Sequence, residues 1–274
     1  MSHVAAFVSM MCTFGSSVTD SRSLAASPVD SPSNPQCHGT PIWWTEWGVG
    51  STHFGPVHDG VAGAPFVLSG LAAAQGRLDA LAYWVASDHF VELGEPERLL
   101  HGGFGLLTIG NLRKPRFWAL RVLESLGSEE LACTLAGDGA GSLVEAWPTR
   151  DDSGRIAVAV WNGTLDQTKQ DGSPELGRDV TLEIEGLAPG RYRLRHRRID
   201  LEHSNVSAVA ADLGVAAWPD ARQWTELRRH DALAELEPER ELRVGEDGRG
   251  GVAFHLPMPG VSLVELVAGE DATR

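Results

Sequence analysis

The chain has 274 residues, 42% hydrophobic and 22% charged, enough apolar material for one large domain or two ordinary ones. A formal charge of −14 argues against a phosphate-binding surface, and so against nucleic acid as a partner. No apolar run approaches the roughly 18 residues that a membrane helix needs, so no membrane partner is expected.

Three cysteines, Cys12, Cys37 and Cys133, are spaced for neither a disulfide framework nor a metal site. Residues 1–27 lack the basic start of a secretory leader, and their apolar run is broken at Thr13 and Gly15. Both features point to a reducing compartment, the cytoplasm. Residues 4–11 read as a buried strand. Residues 15–40, rich in Ser, Pro, Asp and Asn without periodicity, read as a long loop. Pro41-Ile42-Trp43-Trp44-Thr45-Glu46-Trp47-Gly48 reads as a short aromatic strand that ends on a carboxylate. A glutamate in such company is costly unless it has an arginine partner or a catalytic task, and the strand alone leaves both readings open. Three indoles in five residues suit a sugar site, because their faces stack on pyranose rings.

Further along, Asp59 is expected to cap a helix that runs to Gln75, with Pro65 in its first turn and Gly76 as its stop. Residues 78–84 read as a second strand. A long loop then carries Ser87-Asp88 and His101-Gly102-Gly103. Pro115 opens a helix with Ala119, Val122, Leu123 and Leu126 on one stripe, closed by Gly127. This is the βα rhythm of a parallel barrel. Past residue 131 the period shortens to two. Residues 143–147, 156–161, 180–184, 192–196, 252–256 and 262–267 read as strands of an antiparallel sandwich. A polar, partly helical insert over residues 200–236 holds His203, Asn205, Trp218 and Trp224.

After the Thr-Glu-Trp strand end come Tyr83-Trp84-Val85-Ala86-Ser87-Asp88-His89-Phe90-Val91-Glu92, His101-Gly102-Gly103-Phe104-Gly105-Leu106-Leu107 and Lys114-Pro115. In this order the set resembles glycoside hydrolase family 39, the β-xylosidases and α-L-iduronidases, from about residue 41 to about residue 267. The resemblance implies the C-terminal part of a TIM (β/α)8 barrel over residues 1–130 and an antiparallel β-sandwich accessory domain over residues 131–274. It implies a retaining O-glycosyl hydrolase of the β-xylosidase type with Glu46 as nucleophile. Trp84 would be the platform under the sugar ring, with Glu92 and Trp47 as further substrate contacts. A small oligosaccharide or glycoside would be the substrate, with no cofactor and no metal. Asp200, His203 and Asn205 match an insert signature of the family and read as an internal hydrogen-bond cluster. Departures are visible too. Met11 stands near the place of a sugar-contacting histidine, Ser51 at that of an aromatic lid residue, and Val91 at that of the first member of a glutamate pair whose second member is Glu92. Without a Gly-x-Ser-x-Gly elbow, His101 does not read as part of a lipase-type oxyanion loop.

A complete barrel needs roughly 250 residues, and residues 1–130 supply two clear strands. The family's acid/base glutamate follows an asparagine, and the sequence contains no Asn-Glu pair. The expectation is a truncated chain that lacks the acid/base half, with strand edges left open to aggregation or to a second chain that completes the barrel. The alternative is a catalytically inactive fragment that binds carbohydrate or packs against a partner. Xyloside and iduronide specificity are not separated by these residues.

Overall fold

The computed structural model describes residues 7–13, 40–89, 94–269 and 271–272. Its strands follow the two-residue period. In Val144–Arg150 (β6), Arg178–Glu185 (β8) and Gly190–Ile199 (β9), buried positions largely alternate with exposed or half-buried ones. Ile156–Asn162 (β7) is buried at all seven positions, because both of its faces are covered. Ile156, Val158 and Val160 face a core shared with the opposite sheet, among Val180, Leu182, Ile184 and Leu256. Ala157, Ala159 and Trp161 face a second core beneath two helices.

Glu129–Glu130 (β4), Glu235–Val244 (β10) and Gly260–Ala268 (β12) complete a six-stranded sheet in the order β10-β9-β12-β7-β6-β4. The opposing sheet is four-stranded, β11-β8-β1-β5, with β1 at Phe7–Thr13, β5 at Ala132–Gly137 and β11 at Gly250–Leu256. Here the structure departs from the expected split at residue 130. β1 belongs to a sandwich sheet, antiparallel to β5 and parallel to β8, and does not lie beside the aromatic strand. The pattern of residues 4–11 reports burial and carries no information about which strands flank it. Three further strands were not visible in the sequence. β4 and β5 are short, and β10 (Glu-Leu-Glu-Pro-Glu-Arg-Glu-Leu-Arg-Val) is charged and contains Pro238. A proline is tolerated there because β10 is an edge strand, laced to β9 by pairs such as Arg195–Glu239 at 2.9 Å.

The helices Gly63–Ala74 (α1) and Pro115–Glu124 (α2) lie on the outer face of the six-stranded sheet through Ala64, Val67, Leu68, Trp118, Ala119 and Val122. The indole of Trp161 reaches up to them and donates to Ser69 Oγ at 2.7 Å and Glu145 Oε2 at 2.9 Å, so its buried N–H is satisfied. On the far side of the helices sits a parallel pair, Trp43–Trp47 (β2) and Ala80–Tyr83 (β3). Its inner residues Trp47 and Tyr83 pack toward the helices, while Ile42, Trp43 and Trp44 are exposed. Gly70 of α1 makes room for Trp47, since a Cβ at that position would stand 2.1 Å from the indole. The insert forms Val206–Asp212 (α3) and Ala221–Arg229 (α4). Among the described residues no helix is long and apolar enough to cross a membrane.

His196 of β9 is buried in the six-stranded sheet, with Nε2 2.9 Å from Ser262 Oγ. Burial, together with Arg198 and Arg240, lowers its pKa from 6.5 to about 3. Folded His196 therefore stays neutral where the unfolded chain takes up a proton. Stability should be full above about pH 6.5 and fall toward pH 3, by at most about 1.4 kcal/mol per pH unit from this group. Denaturant midpoints measured from pH 7 to 4 should show a shallower decline for His196→Gln than for the parent. Equal slopes would assign the decline to other groups.

Candidate active site

β2 and β3 run parallel with the register Trp43↔Ala80 and Trp44↔Leu81, then Trp47↔Tyr83, so β2 carries one extra residue before its end. Trp84 N–H donates to Trp47 O at 2.7 Å and locks the two carboxyl ends together. Trp47 stacks on Phe66 at 4.8 Å between ring centroids and meets Tyr83 edge-on at 5.6 Å. Trp47 is turned toward the helices, and its neighbour Glu46 lies where the register shifts, so strand alternation does not fix its face. The Glu46 side chain is exposed, and no hydrogen bond or ion pair joins it to another side chain among the described residues. Trp84, one residue beyond β3, is half-buried at the same end of the pair. The sequence expectation thus places Glu46 and Trp84 on neighbouring strand ends. Trp47 is half-buried and engaged in packing behind them. Glu92 lies in residues 90–93, outside the described residues.

Behind these strand ends lies a cluster of buried charges that sequence reasoning did not assign. Lys114, fully buried at the start of α2, places Nζ 2.6 Å from Asp59 Oδ1, 2.6 Å from Asp88 Oδ2 and 2.9 Å from Gly103 O. Arg116 donates to the carbonyls of Gly103 at 2.8 Å and Gly105 at 2.5 Å. The carboxylates use their second oxygens on the glycine loop. Gly102 N–H donates to Asp59 at 2.6 Å and Gly105 N–H to Asp88 at 2.7 Å. Two carboxylates, an ammonium and a guanidinium cancel in formal charge. Burial lowers the Lys114 pKa, and the two aspartates oppose that shift. Asp59 follows β2 and Asp88 follows β3, so one lysine ties both strand-end loops to α2.

This corrects the reading of Asp59 as a helix cap. Helix α1 starts at Gly63 with no side-chain cap, and the Asp59 carboxylate is spent on Gly102 and Lys114. His58 is buried, hydrogen-bonded to Thr52 O at 2.9 Å, with its pKa lowered by burial. The glycines of His101-Gly102-Gly103-Phe104-Gly105 are required by close approach. Gly102 has φ +76°, and a Cβ on it would stand 2.5 Å from the Phe54 carbonyl carbon. One on Gly105 would meet Asp88 N at 2.2 Å. Lys114-Pro115 and Ser87-Asp88 stood in the sequence as signals, but nothing in their spacing says that their charges meet in the interior.

His53, Phe54, Ser87, His101 and Phe104 line a small hollow beside this cluster. His53 and Phe104 are in ring contact at 4.4 Å, and Ser87 Oγ lies 2.7 Å from His89 Nδ1. Two distant segments brace the same region. Gln167, from the loop after β7, donates to Val49 O at 3.0 Å, just past Glu46. Ser207 of α3 donates to Asp59 O at 2.8 Å, and Arg113 pairs with Asp231 at 2.8 Å. The insert holds the expected internal cluster. His203 Nδ1 is 2.8 Å from Asp200 Oδ1, and Asn205 caps α3 by accepting from Ser207 N–H. Among the described residues no group of three His, Cys, Asp or Glu side chains could hold a metal ion.

The sequence model of the family described as "Glycosyl hydrolases family 39" matches residues 33–244. The chain belongs to glycosyl hydrolase family 39. It is 28% identical over 238 residues to a β-xylosidase of Geobacillus stearothermophilus, covering 85% of this chain and 42% of that enzyme. A crystal structure of the family 39 enzyme from Xanthomonas axonopodis pv. citri superposes with a TM-score of 0.70 at 27% identity, covering 84% of this chain and 45% of that one. A monomeric β-xylosidase from Caulobacter crescentus CB15 gives 0.67 at 26% identity, with 84% and 46% covered. This family 39 chain therefore spans less than half the length of these relatives.

Removing the charge of Lys114 would leave two buried carboxylates uncompensated. Lys114→Met should cost about 3–5 kcal/mol in a denaturant titration. The sandwich strands, which hold a separate core, should be the last to unfold. A loss under 1 kcal/mol would contradict the role given to the cluster.

Proposed function

We propose that this chain carries the nucleophile part of a retaining glycoside hydrolase of the β-xylosidase type. On this reading residues 40–130 are the final strand–helix units of a TIM barrel, and the sandwich is an accessory domain that also takes in β1. The carrying observation is the placement of Glu46. It is exposed at the carboxyl end of a parallel strand, next to the Trp84 strand end, and the family model runs through both positions. Barrel enzymes place their catalytic groups at the carboxyl ends of strands.

In a retaining mechanism the Glu46 carboxylate attacks the anomeric carbon as the leaving oxygen is protonated, forming a covalent glycosyl-enzyme that water then hydrolyses. Trp84 would lie under the sugar ring and Glu92 would hold hydroxyls, while Trp47 supports the floor from behind. The substrate class is a small oligosaccharide or glycoside, and the proposed location is the cytoplasm. The acid/base must sit about 5–5.5 Å from the nucleophile. Asp59 and Asp88, two carboxylates of the strand-end loops, are both bound to Lys114. A second chain that completes the barrel would supply the missing acid. The exposure of Glu46, without a side-chain partner among the described residues, also favours a second reading, an inactive fragment that binds carbohydrate or packs against a partner.

Labelling separates the two. A dinitrophenyl 2-fluoro-xyloside needs little protonation of its leaving group and should label the chain slowly, with the mass increase mapped to the Glu46 peptide. Glu46→Gln should abolish it. Unactivated xylobiose should show negligible turnover, because general acid help is worth about 10²–10⁴-fold. No label at Glu46 in folded chain would decide for the second reading.

A further inference from the structure

Phe54 combines two features that are costly in a loop residue. Its φ of +61° is rare for a bulky side chain, and its ring is 54% exposed. The Gly102 backbone packs directly against it. A Cβ on Gly102 would stand 2.5 Å from the Phe54 carbonyl carbon, and Gly102 is itself tied to Asp59 through its N–H. The Phe54 ring stands 6.1 Å from both His53 and His101, tilted by 53° to each, and all three line the hollow beside the ion cluster. Phe104 backs His53 at 4.4 Å and meets the buried His58 edge-on at 4.7 Å. Polar groups sit among these rings, namely the two lining imidazoles and the Ser87 hydroxyl. Val85, the residue after Trp84, lines the hollow too, so the hollow adjoins the strand ends.

An uncommon backbone conformation that presents an aromatic ring at the rim of a hollow points to a ligand. Rings interleaved with hydroxyl and imidazole groups suit an occupant that is apolar on its faces and polar around its edge. A pyranose ring has that character, and a lipid tail or a plain aryl group does not. The hollow is small and open, which fits one ring resting on Phe54 with an edge turned inward. We propose that it is a subsite for a second pyranose ring, beside the one expected at Trp84, with Phe54 as its platform. Ser87 and the imidazoles are the groups that meet the hydroxyls of that ring. The subsite rests on the carbohydrate reading given above and not on Glu46 acting as nucleophile. Phe54 then sets a preference for length, because two rings gain a contact that one ring lacks.

The test titrates the full chain with methyl β-xyloside and with xylobiose, followed by ligand-detected NMR. Xylobiose should bind about 3–10-fold more tightly, the worth of one aromatic contact. Phe54→Gly accepts a positive φ, so it should fold as the parent does while lowering xylobiose to the affinity of the single-ring xyloside. Methyl β-xyloside should bind parent and variant equally, and Phe54→Trp should keep the preference. Equal affinities in the parent would overturn the subsite, as would a preference that survives in Phe54→Gly. Binding of neither sugar would overturn it together with the carbohydrate reading. Labelling at Glu46 keeps the two ideas apart. Label without the preference refutes the subsite alone, whereas the preference without label supports it and ends the nucleophile reading.

Discussion

The ion cluster around Lys114 is the constraint on which the arrangement of the site depends. Taking an ammonium and two carboxylates out of water carries a desolvation cost of several kcal/mol per ion, recovered only when geometry and hydrogen bonds are nearly complete. Here they are nearly complete. Lys114 meets two carboxylates and a carbonyl, and the second carboxylate oxygens accept backbone N–H groups of the glycine loop. Such a cluster adds little stability over a hydrophobic one of equal volume. It does fix position, because a displacement of either loop strands a buried charge.

The site is thereby supported from layers that are remote in sequence. The six-stranded sheet is the middle layer, covered on one face by the opposing sheet and on the other by α1 and α2. Those helices carry β2 and β3, whose ends bear Glu46 and Trp84. Contacts from Gln167 and Ser207 bring the sandwich and its insert up to the loops behind the site. A domain that looks accessory in the sequence is physically part of the mounting. Among the described residues the opposite face of β2 and β3 has no such support, and Trp43 is 69% exposed.

What the sequence made legible follows from which forces act locally. Strands such as β7, β8 and β12 were readable because burial on a pleated sheet imposes a two-residue period. Helix α2 was readable from Pro115 and its apolar stripe. The placement of β1 was not, because strand order is decided by pairing between distant segments. β10 was hidden by its charges, which stay in water along a sheet edge. Lys114, Asp59 and Asp88 look like solvated residues, and only the fold reveals that they meet.

Native-state hydrogen exchange at the amides of Gly102 and Gly105 measures the central claim most directly. These N–H groups donate to Asp59 and Asp88, so they can exchange only when the Lys114 cluster opens. The two should exchange at one common slow rate, matching amides in the interior of α2 such as that of Ala119. Rapid exchange at either glycine, with Ala119 still protected, would mean that the loops move independently and that the buried charges do not hold the site.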